Sequence, residues 1–146
     1  MLNLNVLNET SPLKAVVLGI AKHNGPIPKV EDCYDPSSLK HVQLGTYPLE
    51  KDMIPEMNAL AQLFKSYGVQ VYRPSVIADC NQIFARDIAF VIENKLIKSN
   101  ILPERAKEFT ALSSILNQIQ PEHIIELPEE CHVEGGDVIL CDDHIF

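Results

Sequence analysis

The feature that most constrains this chain is a pattern that occurs twice. Asp87 opens a strand–turn–strand unit over Ile88 to Ile97 (IAFVIENKLI), with Glu93-Asn94-Lys95 as its polar turn. Asp137, 50 residues further on, opens a second unit within Gly136 to Phe146 (GDVILCDDHIF). In both, the aspartate precedes a short apolar run, an acidic or polar turn and a second apolar run. A hairpin is the reading in each case. A recurrence of this length marks propeller-like or arrayed architectures, in which each unit buries its face against a neighbour.

The rest of the chain fits an α/β class. The Val-rich run Leu13 to Ile20 reads as a buried strand, and His23 to Pro48, rich in Pro, Gly, Asp and Ser, reads as a long loop. From about Asp52 an apolar stripe of Met53, Met57, Leu60, Phe64 and Tyr67 predicts a core-facing helix. Pro55 is placed in its first turn, and Gly68 ends it. Val69 to Tyr72 alternates as a strand. A second helix is predicted from Pro103, with Phe109, Leu112, Leu116 and Ile119 buried, and Pro121 stops it before the strand His123 to Leu127. The second hairpin has no helix after it. The expectation is therefore a single domain over residues 1–146 holding about two to two and a half modules, a truncated or split piece of a larger fold.

Charge narrows the partners. Twenty acidic against twelve basic residues give a formal net charge of −8, which a nucleic-acid backbone would repel, and no Lys/Arg cluster offsets it. Small cations are the more natural ligands. No run approaches the roughly 20 apolar residues of a membrane span. Met1 to Thr10 lacks the basic start and apolar run of a signal peptide. The four widely spaced cysteines, Cys33, Cys80, Cys131 and Cys141, read as reduced thiols of a cytoplasmic protein.

Two blocks are candidates for chemistry: Gln82-Ile83-Phe84-Ala85-Arg86-Asp87 and His132-Val133-Glu134-Gly135-Gly136-Asp137. Each sets a carboxylate at the mouth of a predicted strand, and the repeat would bring equivalent positions around one centre. Converging carboxylates suit a planar cation with paired N–H groups, such as a guanidinium. Gly135-Gly136 removes side-chain bulk where a ligand or a neighbouring strand comes close.

The order FARD, IAFVI, Arg105-x-x-Glu108 and EGGDV resembles the guanidino-group-modifying superfamily. That family comprises amidinotransferases, arginine deiminases and dimethylarginine dimethylaminohydrolases. The resemblance runs from about Leu13 to Phe146 and is strongest between Asn81 and Asp137. It implies a pentein-type α/β propeller of ββαβ modules, of which this chain would be a part. It also implies action on the guanidino group of arginine or a relative, by hydrolysis or amidino transfer, with no metal or organic cofactor. Asp87 would bind the substrate guanidinium, Glu134 would be the catalytic carboxylate, and Arg105 would reach a substrate carboxylate. Asp137 and Arg86 would support the site without touching substrate. The family's histidine and nucleophilic cysteine would lie beyond this chain, leaving it inactive alone.

Other readings stand beside these. Asp87 can cap a turn, Glu134-Gly-Gly can be a surface turn, and Arg105 can simply pair with Glu108 across a helix turn. Cys131, His132, Cys141 and His144 are a thin zinc candidate, with Cys141-x2-His144 the one tight pair. Gly19 and Gly25 lack the spacing of a dinucleotide loop. A different class of function is a non-catalytic partial propeller that associates with another copy or a missing half through its apolar edges.

Overall fold

The first parallel pair explains the front half of the chain. In the computed structural model, which describes residues 1–141 and 143–146, the Val-rich run forms β1 (Ala15–Val17) and pairs in parallel with β2 (Gln70–Tyr72). Parallel neighbours need a crossover. Two helices supply it, α1 (Pro36–Gln43) and α2 (Glu50–Ser66).

Helix α1 lies inside the stretch read as a long loop, and it corrects that reading. Asp35 accepts the Ser38 N–H at 2.7 Å and Pro36 takes the first helical position, a strong start signal. None of its residues is buried. Its apolar side is the half-buried pair Leu39 and Val42, too short a pattern to read as a helix in the sequence.

Helix α2 begins at Glu50, earlier than the stripe suggested, so Pro55 falls in its second turn and cannot donate to the Lys51 carbonyl. Its end is as expected. Gly68, at φ +77°, lets its own N–H donate to Lys65 and the Val69 N–H to Phe64. The stripe is not the core face foreseen: Met53, Met57 and Phe64 are half-buried, Leu60 is 37% exposed and Tyr67 80%, while Ala61 is buried. The cause is geometric. Adjacent strands lie about 4.8 Å apart and a helix is roughly 10 Å across, so a two-stranded floor cannot cover the stripe.

The second unit is more complete. Strands β3 (Ala89–Ile92) and β4 (Lys95–Lys98) form the foreseen hairpin, with Ile92 opposite Lys95, and β5 (Ile124–Glu126) pairs in parallel with β4. The crossover from β4 to β5 corrects the expected helix. Pro103–Leu112 winds as a 3-10 helix, followed by one α turn, α4 (Ser113–Leu116) if the single turn before β3 is counted as α3 (Ala85–Ile88). Three residues per turn stack Arg105, Glu108 and Ala111 on one side, and all three are buried. Leu112, Ile115 and Ile119 are buried beyond them, and Phe109 and Leu116 are half-buried.

The last unit repeats the second in miniature. A 3-10 turn, Gly135–Asp137, precedes the hairpin of β6 (Leu140–Cys141) and β7 (His144–Ile145). Asp87 occupies the corresponding short helical turn before β3. The core centres on Ile88, Leu112 and Ile115, against which Leu2, Val17, Tyr72, Ile101 and Phe109 pack. The three sheets stay separate, and the described residues close no propeller.

Acid should loosen the front of this structure. The Ser38 hydroxyl, and after it the Ser38 amide, hold the Asp35 carboxyl below its ordinary range. For Glu9 the first cause is the hydrogen bond from Arg86. Both folded values are depressed, so their stabilisation is present above about pH 4 and is lost as pH falls through the folded values. Amide spectra followed through an acid titration should show Ser38 and Leu140 shifting below about pH 4. Asp35→Ala should cost about 1 kcal/mol in denaturant unfolding.

Candidate functional site

The site begins with a short turn that cannot move freely. Ala85 and Ile88 are buried and anchor α3, which leaves Arg86 and Asp87 on its open sides. Upstream, buried Gln82 donates to the Ser75 carbonyl at 2.8 Å and accepts the Ile77 N–H at 2.8 Å, tying down the approach to the turn.

Arg86 then joins the two motif blocks. Its Nε donates to the Gly135 carbonyl at 2.8 Å and its Nη2 to the Val138 carbonyl at 2.7 Å, while Glu9 pairs with the same guanidinium at 2.9 Å. The contact between the two turns is close enough to require glycine. A Cβ on Gly135 would lie 2.2 Å from the Arg86 carbonyl oxygen, and one on Gly136 would lie 2.7 Å from Asp87 Oδ1. The 50-residue repeat thus reappears as a physical junction.

At this junction one guanidinium meets three carboxylates. Arg105 gives Nε and Nη2 to Glu108 at 2.8 and 3.0 Å, and its Nη1 reaches Asp87 Oδ2 at 3.2 Å and Glu134 Oε1 at 3.1 Å. The Arg105 and Glu108 side chains are 10% and 6% exposed, so the pair is buried, whereas Asp87 and Glu134 open partly to solvent. Glu108 first, and then Asp87 and Glu134, hold the Arg105 proton more tightly than in water, against the opposing effect of burial. Three negative groups around one positive group leave the cluster with a surplus of negative charge.

The cluster faces a cavity of about 850 Å³. One wall comes from the stretch Asn24 to Pro48, with Tyr34 and Asp35 on it, and another from Asp79, Cys80 and Phe84. Seven carboxylates line it (Asp32, Asp35, Asp79, Asp87, Glu104, Glu108 and Glu134) against the cationic Arg105 and Lys107. Such a space concentrates cations. Two thiols also face it. Partial burial and then Asp35, Asp32 and Glu31 push the Cys33 thiol up, and burial and then Glu108 push up Cys80. Neither thiol is poised as a thiolate.

The structure therefore brings Asp87, Arg105 and Glu134 together and places Arg86 behind them as a clamp. Asp137 is exposed and outside the cavity lining. Among the described residues no three His, Cys, Asp or Glu side chains gather to hold a metal, so the Cys131, His132, Cys141 and His144 group is not assembled. Sequence reading met Glu108 only as a neighbour of Arg105, and it missed the Asn24–Pro48 wall because that stretch carries no periodic signal.

No family model and no curated protein sequence matches the chain. Solved structures do match. SxtG, an amidinotransferase of saxitoxin biosynthesis from Microseira wollei, superposes with a TM-score of 0.71 at 16% identity, over 97% of this chain and 53% of that one. The inosamine-phosphate amidinotransferase StrB1 from Streptomyces griseus gives 0.62 at 19% identity, over 91% and 45%. The fold is that of the guanidino-modifying, pentein-type proteins. A dimethylarginine dimethylaminohydrolase (DDAH) from Pseudomonas aeruginosa, solved with citrulline, gives 0.61 at 12% identity, over 91% of this chain and 49% of that one. The chain spans about half the length of these pentein-type structures. No helix among its described residues is long and apolar enough to cross a membrane.

The junction yields two stability predictions. Arg105→Met strips the buried Glu108 of its partner and should cost about 3–5 kcal/mol. Gly135→Ala forces a methyl against backbone and should cost about 1–3 kcal/mol. Urea unfolding of each variant measures both, and a loss under 0.5 kcal/mol (roughly the effect of an ordinary surface change) would contradict the packing described.

Proposed function

We propose that the chain forms the guanidinium-accepting part of an enzyme acting on the guanidino group of arginine or a related small molecule, by hydrolysis or amidino transfer. The observation that carries this reading is the convergence of Asp87 and Glu134 on a single guanidinium nitrogen, Arg105 Nη1, at the edge of an acidic cavity. Carboxylates that accept one guanidinium side by side have the spacing to accept another.

In this reading Asp87 binds the substrate guanidinium and Glu134 serves as the catalytic carboxylate, the roles implied by the FARD and EGGD resemblance. Charge-assisted hydrogen bonds hold the guanidinium plane and keep its central carbon electrophilic. The resemblance puts the nucleophilic cysteine outside these 146 residues. The order β3, β4, helix, β5 supports reading the second unit as a ββαβ module of a larger propeller. Four free cysteines support a reducing compartment such as the cytoplasm.

A second reading, a non-catalytic module that associates with another copy or a completing half, draws on apolar exposure. Leu63 on α2, Tyr67 just past its end, and Ile139, Ile145 and Phe146 at the last hairpin are all more than half exposed. Sedimentation that finds only monomer at high concentration would count against self-association.

Titration of the full chain with L-arginine and with guanidinium chloride, followed by NMR, tests the first reading. Wild type should bind both, and Asp87→Asn should weaken binding at least about tenfold, the worth of a charge-assisted hydrogen bond. Equal binding by wild type and Asp87→Asn would remove Asp87 from the site. Citrulline release by the chain alone should be undetectable.

A further inference from the structure

Arg105 is committed on every edge that could receive a carboxylate. A guanidinium has five N–H groups. Glu108 takes those of Nε and one of Nη2 in a bidentate grip, from three residues along the same 3-10 helix. Both contacts of Nη1 are to the motif carboxylates. Paired recognition of a substrate carboxylate needs two parallel N–H groups from one edge. The Nε–Nη2 edge is filled by Glu108, and on the other edge Nη1 is taken by Asp87 and Glu134.

The same contacts use one oxygen of each motif carboxylate. Asp87 is bound through Oδ2 and Glu134 through Oε1, so among the described residues Asp87 Oδ1 and Glu134 Oε2 receive no hydrogen bond. Asp87 Oδ1 lies against the Gly136 backbone, where a Cβ would come within 2.7 Å of it. An Arg105 guanidinium released from Glu108 could turn both of its terminal nitrogens onto Asp87 and Glu134. It would then compete with a ligand for both carboxylates.

We propose that Arg105 and Glu108 are positioning residues. Glu108 fixes the Arg105 plane so that Nη1 sets Asp87 through Oδ2 and Glu134 through Oε1, and the two carboxylates so held receive the substrate guanidinium. This rests on the guanidinium-binding reading above and deepens it. It assigns Glu108 a part in the site and takes Arg105 away from the substrate's far end.

L-arginine and its decarboxylated analogue agmatine distinguish the roles, because they differ only in the carboxylate. Each is titrated into the full chain of wild type, Glu108→Gln and Arg105→Lys, with thermal unfolding as the check of folding. Glu108→Gln should weaken both ligands by about tenfold, as expected for loss of one charge-assisted hydrogen bond. Arg105→Lys, which keeps the charge and loses the fork, should weaken both by the same factor, so that the arginine-to-agmatine ratio stays constant. The Arg105 Nε–H resonance should be slowly exchanging in wild type and fast in Glu108→Gln, with or without ligand. If Glu108→Gln does not fold, Glu108→Asp, which keeps the charge at shorter reach, is read in the same way. A selective loss of arginine over agmatine in Arg105→Lys would overturn the inference alone, as would unchanged affinity in the folded Glu108 variant. Failure of wild type to bind either ligand would sink the guanidinium site itself, and this inference with it.

Discussion

Everything near the cavity depends on keeping the Arg105 guanidinium out of water. A buried cation is tolerated only when carboxylates and hydrogen bonds replace its hydration. Glu108 supplies the nearest compensation from the same 3-10 helix, and Asp87 and Glu134 supply the rest from two other segments. That requirement draws together stretches separated by tens of residues. The crossover from β4 to β5 that carries the pair winds as a 3-10 helix over ten residues. Three residues per turn put Arg105 directly over Glu108.

The second constraint is the tight seam between the repeats. Arg86 donates to the Gly135 and Val138 carbonyls, and Gly135 packs so closely on the Arg86 backbone that a methyl group has no room. Glu9 closes the same clamp and also accepts the Leu140 N–H at 3.4 Å, tying the start of the chain to the last hairpin. The seam fixes Asp87 relative to Glu134. Charge does the remainder, since carboxylates outnumber cations around the cavity and draw small cationic ligands toward it.

Much of the architecture was legible from pattern. The hairpin at Ile88 to Ile97, the strand at Val69 to Tyr72 and the stop at Gly68 all follow from alternation and turn chemistry, which are local. The misreadings share a cause. Helix α1 has only Leu39 and Val42 as half-buried apolar residues, so Asp35-Pro36 was its clearest signal, and the stripe on α2 promised a core that a two-stranded sheet is too narrow to provide. In both places burial depends on what lies opposite, and a linear pattern does not contain that.

The sequence by itself determined which residue types were present for guanidinium chemistry, the spacing that repeats them, and the acidic balance that selects cations. Only the tertiary structure decided the partners. Arg105 could pair with Glu108 alone or reach outward, and the sequence left these readings equal because both fit an i, i+3 spacing. Folding placed Asp87 and Glu134 within hydrogen-bond reach of the same nitrogen. Where four charged groups compete for one another, distance and burial decide the pairing, and both are set by the packing of segments far apart in the chain.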